Sequence, residues 1–517
     1  MTQTTDTGTK PGRLVRILRG TLFVLACLIT LIAILYAEEN WRGKRAWEKF
    51  KQEWEAKGEK FDLQSFVPPA VPDDQNFAMT PFLAPLFDYN PQPLAPDQSI
   101  YRDTNGANRA MNFANKLPSP QSSAMWAKSE PVDLPAWAIA FLGKSNAPPG
   151  GAASITRPDA AAIVLKGLEK YQPVLDEIQA ATRRPYSRFN VNYASEIPAA
   201  IMLPHLAVVK QLSRLFLLRA SAELALGRTE AAFTDVKAGL YLSGTMKSEP
   251  FLISGLVRVT IIRLTLPCIW EGLAAHQWTD LQLAEFEQEL GGIDLLAEYE
   301  TQMRGERALA NGNIDYLRRS KRINDFLNDA GQSPVNLGHL LPDGWFYQNE
   351  LVINRMHQDY FLPPVDSANH RINVDKVSAM SPALTNELFG GFPPYKILGR
   401  LLLPALEGCI KKYAYGQVNL DLATTACALE RYRLVNGQYP DSLDVLAPKF
   451  IAKIPNDVIT GESLKYRRTD DGRFLLYSVG WNRTDDGGTM AFDKGTTPQV
   501  DRDQGDWVWP PYPAKPF

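Results

Sequence analysis

Asn482, Thr484, Asp486, Gly487 and Asp493 stand at positions 1, 3, 5, 6 and 12 of one short stretch in a 517-residue chain. Alternating oxygen ligands with a turn glycine at the sixth position let a loop encircle a hard cation, so this spacing points to calcium. Asn and Thr lower the ligand charge, Asp stands where a bidentate Glu is usual, and no flanking helices suggest an EF-hand. The competing account is a solvated hairpin tip, since acidic, glycine-rich turns need no ion. An ion held here would stabilise a loop rather than catalyse.

Other chemistry finds little support. His205, His276, His339, His357 and His370 include no pair at the i, i+4 spacing that sets two imidazoles on one helical face around zinc. There is no Gly-x-Ser-x-Gly elbow, no Ser-x-x-Lys and no phosphate-cradling glycine loop ending in Lys-Ser/Thr. Asp294, Glu298, Glu300 and Glu306 supply carboxylates, and a glycosidase needs only two at a set separation. Charged helices normally expose such residues, and His357 beside Asp359 calls for the same caution. The 55 Lys plus Arg against 57 Asp plus Glu leave no basic field, which argues against a nucleic-acid partner.

The elements that would position these groups begin with an anchor. Residues 21–37 are an unbroken apolar run covering roughly 26 Å as a helix, and Leu14, Val15, Ile17 and Leu18 extend it. The expected order is a cytoplasmic tail over 1–12, a single transmembrane helix over 13–37 and a juxtamembrane helix over 38–58. Lys10, Arg13, Arg16 and Arg19 precede the run while Glu38 and Glu39 follow it, favouring a cytoplasmic N-terminus and an extracytoplasmic, periplasmic bulk. A cleaved signal peptide is the runner-up, disfavoured by the bulky Tyr36 where a small residue is wanted. Trp47, Phe50 and Trp54 form one packing stripe on the juxtamembrane helix, and Trp41 lies off it as a headgroup residue.

Residues 59–157 are proline-rich yet carry Phe77, Phe82, Leu86, Phe87, Trp126 and Trp137, too apolar for a solvated linker. An ordered, irregular wrap is expected, without long helices. Residues 158–415 read as a helical domain. Leu206, Val209, Leu212 and Phe216 follow Pro204 at helical spacing, Gly227 stops that helix and Thr229 with Glu230 starts another. This hairpin resembles a tetratricopeptide unit, with no second copy visible. Cys268, Cys409 and Cys427 read as small buried thiols.

The last segment, 416–517, is an α+β module: a helix near Val418–Leu434, an Asn436-Gly437 stop, and two strands joined across Asp470-Asp471-Gly472. Ala428-Leu429-Glu430-Arg431-Tyr432-Arg433, Asn436-Gly437-Gln438-Tyr439-Pro440, Ile454-Pro455-Asn456-Asp457, Leu464-Lys465-Tyr466-Arg467, Leu476-Tyr477-Ser478-Val479-Gly480 and Asp506-Trp507-Val508 follow in that order. In this order and spacing the module resembles the C-terminal domain of the major pseudopilins of type II secretion systems, over about a fifth of the chain. That family holds calcium in the loop after its paired strands, so the resemblance adds Asp485 and Asp506 to Asn482, Thr484, Asp486 and Asp493 as candidate ligands. Here no prepilin-peptidase site precedes the apolar run, and Ile17 stands where the family has a glutamate, so processing as a pilin is not implied.

The expected fold is mainly α: one N-terminal span, a helical-hairpin array and a small pseudopilin-like domain with antiparallel strands. The expected function is a non-catalytic, membrane-anchored scaffold contacting envelope or secretion-machinery proteins. The alternative is an extracytoplasmic hydrolase of carbohydrate or peptide, with paired carboxylates in a cleft between the wrap and the helical region.

Overall fold

Arg13 to Glu55 form one continuous helix, α1, so the expected span and juxtamembrane helix are a single rod. No proline interrupts it, and Lys44–Glu48, Lys49–Glu53 and Lys51–Glu55 pair along its second half. The computed structural model describes residues 12–90, 100–113, 115, 117–120, 125–323, 337–390, 394–495 and 499–513. Through Glu38 every described side chain of α1 is exposed, whereas Gly43, Trp47 and Phe50 are buried. Two other segments are long and apolar enough to cross a membrane, Pro198–Ala225 and Leu252–Ala274, and both are more than half buried in the body.

The second half of α1 docks on helix α11, Asp343–Met356. A Cβ on Gly43 would lie 2.5 Å from the Gly344 carbonyl oxygen, so glycine at both positions lets the two backbones touch. Asn40 Oδ1 accepts the Gly344 N–H at 2.8 Å, satisfying one of the free donors at the start of α11. Trp47 and Phe50 close the seam against Phe61 and Leu351, each worth ~1.5–3 kcal/mol of burial. The aromatic stripe is thus internal packing. Trp41 lies outside it, exposed, with the Arg45 guanidinium 5.2 Å from its ring centre.

The described residues of the proline-rich segment wrap on the body and carry two short α-helices, α2 (Thr104–Met111) and α3 (Leu134–Leu142). Asp103 and Asp133 cap them, and Pro135 sits in the first turn of α3, where its missing N–H costs nothing. Phe77, Phe82, Leu83, Leu86 and Phe87 are buried in a core shared with α4 (Arg157–Leu168), α5 (Gln172–Ala181) and α6 (Pro204–Ala225). Glu59 fastens the start of the wrap to the body. It accepts from Arg307 at 2.7 Å and Arg304 at 3.1 Å, and Arg307 is fully buried with its guanidinium 4.3 Å from the Phe61 ring centre. Burial pushes the Glu59 carboxyl up, but these two guanidiniums outweigh it and hold it below its ordinary value.

Helix α6 and α7 (Thr229–Gly244) form the expected hairpin around Gly227, whose φ of +70° suits glycine. Helices α8 (Leu252–Ala274), α9 (Asp280–Gly291) and α10 (Leu295–Ser320) continue the array, and Thr279 with Gln282 forms a capping box on α9. Beyond α11 come α12 (Val374–Phe389), α13 (Ile397–Leu402) and α14 (Cys409–Asn436). Helix α14 is the centre of the protein: nearly every residue from Cys409 to Glu430 is buried, against α8, α9 and α10. Its interior polar groups are all tied down. Gln417 accepts the Leu295 N–H at 2.8 Å, Asp421 meets His370 at 3.0 Å, and Asn419 donates to the Tyr415 carbonyl at 2.6 Å. One apolar core runs from Leu217 to Tyr512 and has no seam at 415/416.

After α14, Gly437 ends the helix at φ +78° and Ser442 caps a short turn. Strands β3 (Lys465–Arg468), β4 (Phe474–Ser478) and β7 (Trp507–Val508) form an antiparallel sheet in the order β3-β4-β7. Strands β5 (Met490–Phe492) and β6 (Val500–Gly505) pair separately, and β1 (Val365–Asp366) with β2 (Arg371–Ile372) makes a third small ladder. The molecule is mainly helical with a few antiparallel strands concentrated near its C-terminal end.

Candidate functional site

Between β4 and β5 the chain makes the loop singled out for calcium. Asp506, at the foot of β7, is buried and grips this loop from below. Its Oδ2 accepts the Gly488 and Thr489 N–H groups at 2.7 and 3.2 Å, and its Oδ1 accepts that of Asp486 at 3.2 Å. Asp485 accepts the Tyr477 hydroxyl at 2.8 Å and the Gly487 N–H at 3.1 Å. Asn482 donates to Asp486 at 3.1 Å and accepts the Thr484 N–H at 3.1 Å. Asp493 stands apart, holding the Gln499 and Gly495 amides at 2.8 and 3.3 Å. Among the described residues no three His, Cys, Asp or Glu side chains gather into a metal-holding group. A calcium shell wants six to eight oxygens facing one point; here Asp493 stands apart from the others, and the carboxylates of Asp485, Asp486 and Asp506 face N–H and O–H donors. In this arrangement the six residues do not fit the ion.

A cleft of about 570 Å³ lies where α1, the start of the wrap, α10 and α11 meet. Trp47, Phe61, Tyr193 and Tyr347 line it with the carboxylates of Asp62, Glu196, Asp315 and Glu350. Asp62 is spent on the Gln64 N–H as a turn cap, at 3.2 Å. Asp315 pairs with Arg318 at 2.5 Å and Arg319 at 3.5 Å. Glu350 has no such partner among the described residues. Burial, and then the charge of Asp315, push its carboxyl up to about 8, against the pull of Arg318 and Lys51. Glu350 is therefore protonated near neutral pH, in a cleft lined by three further carboxyl side chains.

Two further cavities do not repeat this. In one of about 610 Å³ beside α7 and α8, Glu289 is paired with Lys237 and Glu298 with Arg258, both at 2.7 Å. One of about 400 Å³ beside Trp126 and Pro267 has a single lining carboxylate, Glu130, which accepts the Met125 N–H at 2.8 Å.

The carboxylates of α10 picked out by sequence are not brought together. Asp294 caps the helix through the Leu296 and Ala297 N–H groups, Glu298 pairs with Arg258, and Glu300 accepts from Ser367 and Arg304. Glu306 is half-buried, and desolvation raises its carboxyl, with a backbone bond from Leu252 opposing the shift. His357 is fully buried, bonded to the Ile353 carbonyl at 2.9 Å, and burial lowers it to about 4. Its neighbour Asp359 is not among its hydrogen-bond partners.

Sequence reasoning missed two polar clusters centred on α14. Glu430 is buried among His276 at 2.8 Å, Arg433 at 2.7 Å and Tyr439 at 2.6 Å; burial opposes its charge, but these donors hold it down at about 2. The His370–Asp421 pair is the other, and the Asp421 contact raises His370. Glu430, Arg433 and Tyr439 fall within ten residues of one another, but His276, and His370 in its pairing with Asp421, lie far along the chain from their partners, so neither cluster could be assembled from local spacing. Comparisons of the chain with protein-family models, curated proteins and solved structures found no match.

Proposed function

We propose that this protein is a single-span, non-catalytic scaffold of the cell envelope, with its N-terminus in the cytoplasm and its folded body outside. The observation that carries this reading is the division within α1. Its apolar half is exposed on every side, although such a surface is costly in water, and its second half is welded to the body. The other two long apolar helices bury their surface inside the body and need no lipid. The lead charges on Arg13, Arg16 and Arg19 support the orientation. The C-terminal helix and antiparallel sheet, with the resemblance to major pseudopilins, support secretion-related proteins as partners. The test is chemical crosslinking in native membranes followed by identification of the adducts. Discrete heterologous partners are expected; recovery of the protein alone at full crosslinking efficiency refutes the scaffold.

One observation favours a second reading, a hydrolase of carbohydrate or peptide. In the cleft beside α11, Glu350, its carboxyl raised by burial, would act as acid and Asp315, which lines the same cleft, as base, among aromatic rings of the kind that stack on sugars. Its test is turnover of envelope polysaccharides and peptides by the purified full-length protein. Activity that vanishes in both Glu350→Gln and Asp315→Asn would establish it, and no turnover across that panel would remove it.

A further inference from the structure

The folded body begins at the level where α1 leaves its exposed apolar half. The Tyr36 hydroxyl donates to the Leu340 carbonyl. Tyr395 donates to Glu39 at 3.0 Å and accepts from Arg42 at 2.8 Å, with the Arg42 guanidinium 5.5 Å from its ring centre. Two segments of the body, the turn Leu337–Leu340 and the stretch around α13, are thereby pinned beside residues 36–42 of α1.

Both segments turn apolar side chains outward. Leu340 is 63% exposed, Phe389 54% and Leu401 51%, beside Trp41 at 62%. Ile397 and Leu401 share one face of α13 at i, i+4, while Leu398 on the other side is buried. Cations stand next to them. The Arg400 guanidinium is 4.8 Å from the Phe389 ring centre, Lys396 donates to the Gly390 carbonyl at 3.5 Å, and Arg45 covers Trp41. Outward aliphatic and aromatic groups rimmed by Lys and Arg are the composition of a surface that lies in a lipid headgroup layer. Position decides among possible occupants: the collar adjoins the end of the rod that needs lipid, and its Tyr36 and Tyr395 contacts tether it there.

We propose that this collar is a second membrane contact, with Leu340, Phe389, Ile397 and Leu401 entering the leaflet from which α1 emerges and Lys396 and Arg400 at the depth of the lipid phosphates. The proposal rests on α1 spanning the bilayer, and goes beyond it by assigning the body a fixed, membrane-seated face.

The test uses the full-length chain in vesicles of mixed phosphatidylcholine and phosphatidylglycerol, in a Cys27→Ser background where the other three cysteines are buried. Nitroxides placed through Leu28→Cys, Leu340→Cys, Phe389→Cys, Leu401→Cys and Leu281→Cys report collisions with oxygen, which prefers lipid, and with a nickel chelate, which prefers water. Leu28 lies in the apolar half of α1, and Leu281 is an exposed position on α9. The expected oxygen-to-nickel ratio at 28, 340, 389 and 401 is several-fold that at 281. A lipid value at 28 with water values at 340, 389 and 401 overturns the collar alone; a water value at 28 overturns both the collar and the span.

Discussion

Replacing Gly43 by alanine tests whether α1 and the body are one rigid piece. In an isolated helix the change stabilises by about 1 kcal/mol, because alanine is the better helix former. In this seam the new methyl would lie 2.5 Å from the Gly344 oxygen and 2.7 Å from its Cα, backbone atoms that cannot rotate away. Restoring an ordinary 3.4 Å contact requires the helices to part by 0.9 Å. A gap of that size forfeits roughly a quarter to a half of each dispersion contact across it. Applied to Trp47 and Phe50, at ~1.5–3 kcal/mol of burial apiece, the loss is about 1–3 kcal/mol, which matches or exceeds the helix-propensity gain. Amide exchange over residues 38–55 of the full-length protein in detergent is the readout. The net weakening of up to about 2 kcal/mol speeds exchange there by up to about thirtyfold, since 1.4 kcal/mol is a factor of ten. Gly20→Ala, with nothing within 4 Å, is the control and slows exchange or leaves it unchanged. If Gly43→Ala also slows exchange, the helices do not meet at this point and the rigid connection is wrong.

Other outcomes follow from the buried charges. Glu350 is raised to about 8 in the folded protein, so its contribution is fully present below the unfolded carboxyl value and is lost as pH rises through 8. Glu350→Gln is expected to flatten the fall in denaturation midpoint between pH 5 and pH 9, a term of at most about 4–5 kcal/mol; an unchanged slope refutes the buried protonated carboxyl. His357 is depressed to about 4, so the unfolded chain binds the extra proton and stability drains as pH falls from about 6.5 toward 4. His357→Gln should remove up to about 3 kcal/mol of that acid sensitivity, measured as the difference between the two stability-against-pH curves. For the β4–β5 loop, equal melting temperatures in calcium and in chelator are expected, and a rise of several degrees with calcium would restore the ion. Asp506→Ala removes the acceptor for three backbone N–H groups and should cost about 2–3 kcal/mol, read as fast exchange at Gly488 and Thr489.

Elements with local punctuation were legible in the chain. Gly227 and Gly437 occupy positive-φ stops, Thr279 caps α9, and the strands around Asp470-Asp471-Gly472 pair as a hairpin because the turn residues impose it. The full length of α14 was not legible, because a helix buried on all sides has no polar stripe to mark its faces and carries Gln417, Asn419 and Asp421 inside. The Gly43–Gly344 contact escaped for a different reason: each glycine looks merely tolerated in its own helix, and only the partner some 300 residues away explains it. Glu350 likewise reads as an ordinary helical glutamate until Trp47, Phe61 and Tyr347 close around it. The six proposed calcium ligands share a spacing, but spacing does not record that their oxygens face amides instead of one another.

The burial of α14 sets the timetable of folding. The faces of α8, α9 and α10 that receive it are made first, and the last residue of α14 follows the last of α8 by some 160 positions. At a synthesis rate of about 5–20 residues per second, that trough stays uncovered for roughly 8–30 s. During that interval the nascent chain displays the sticky inner surface of its own finished form, and a holding chaperone is the ordinary remedy. Truncation anywhere before Cys409 would make the exposure permanent, so a prematurely terminated product should be degraded or aggregate instead of persisting as a smaller working version.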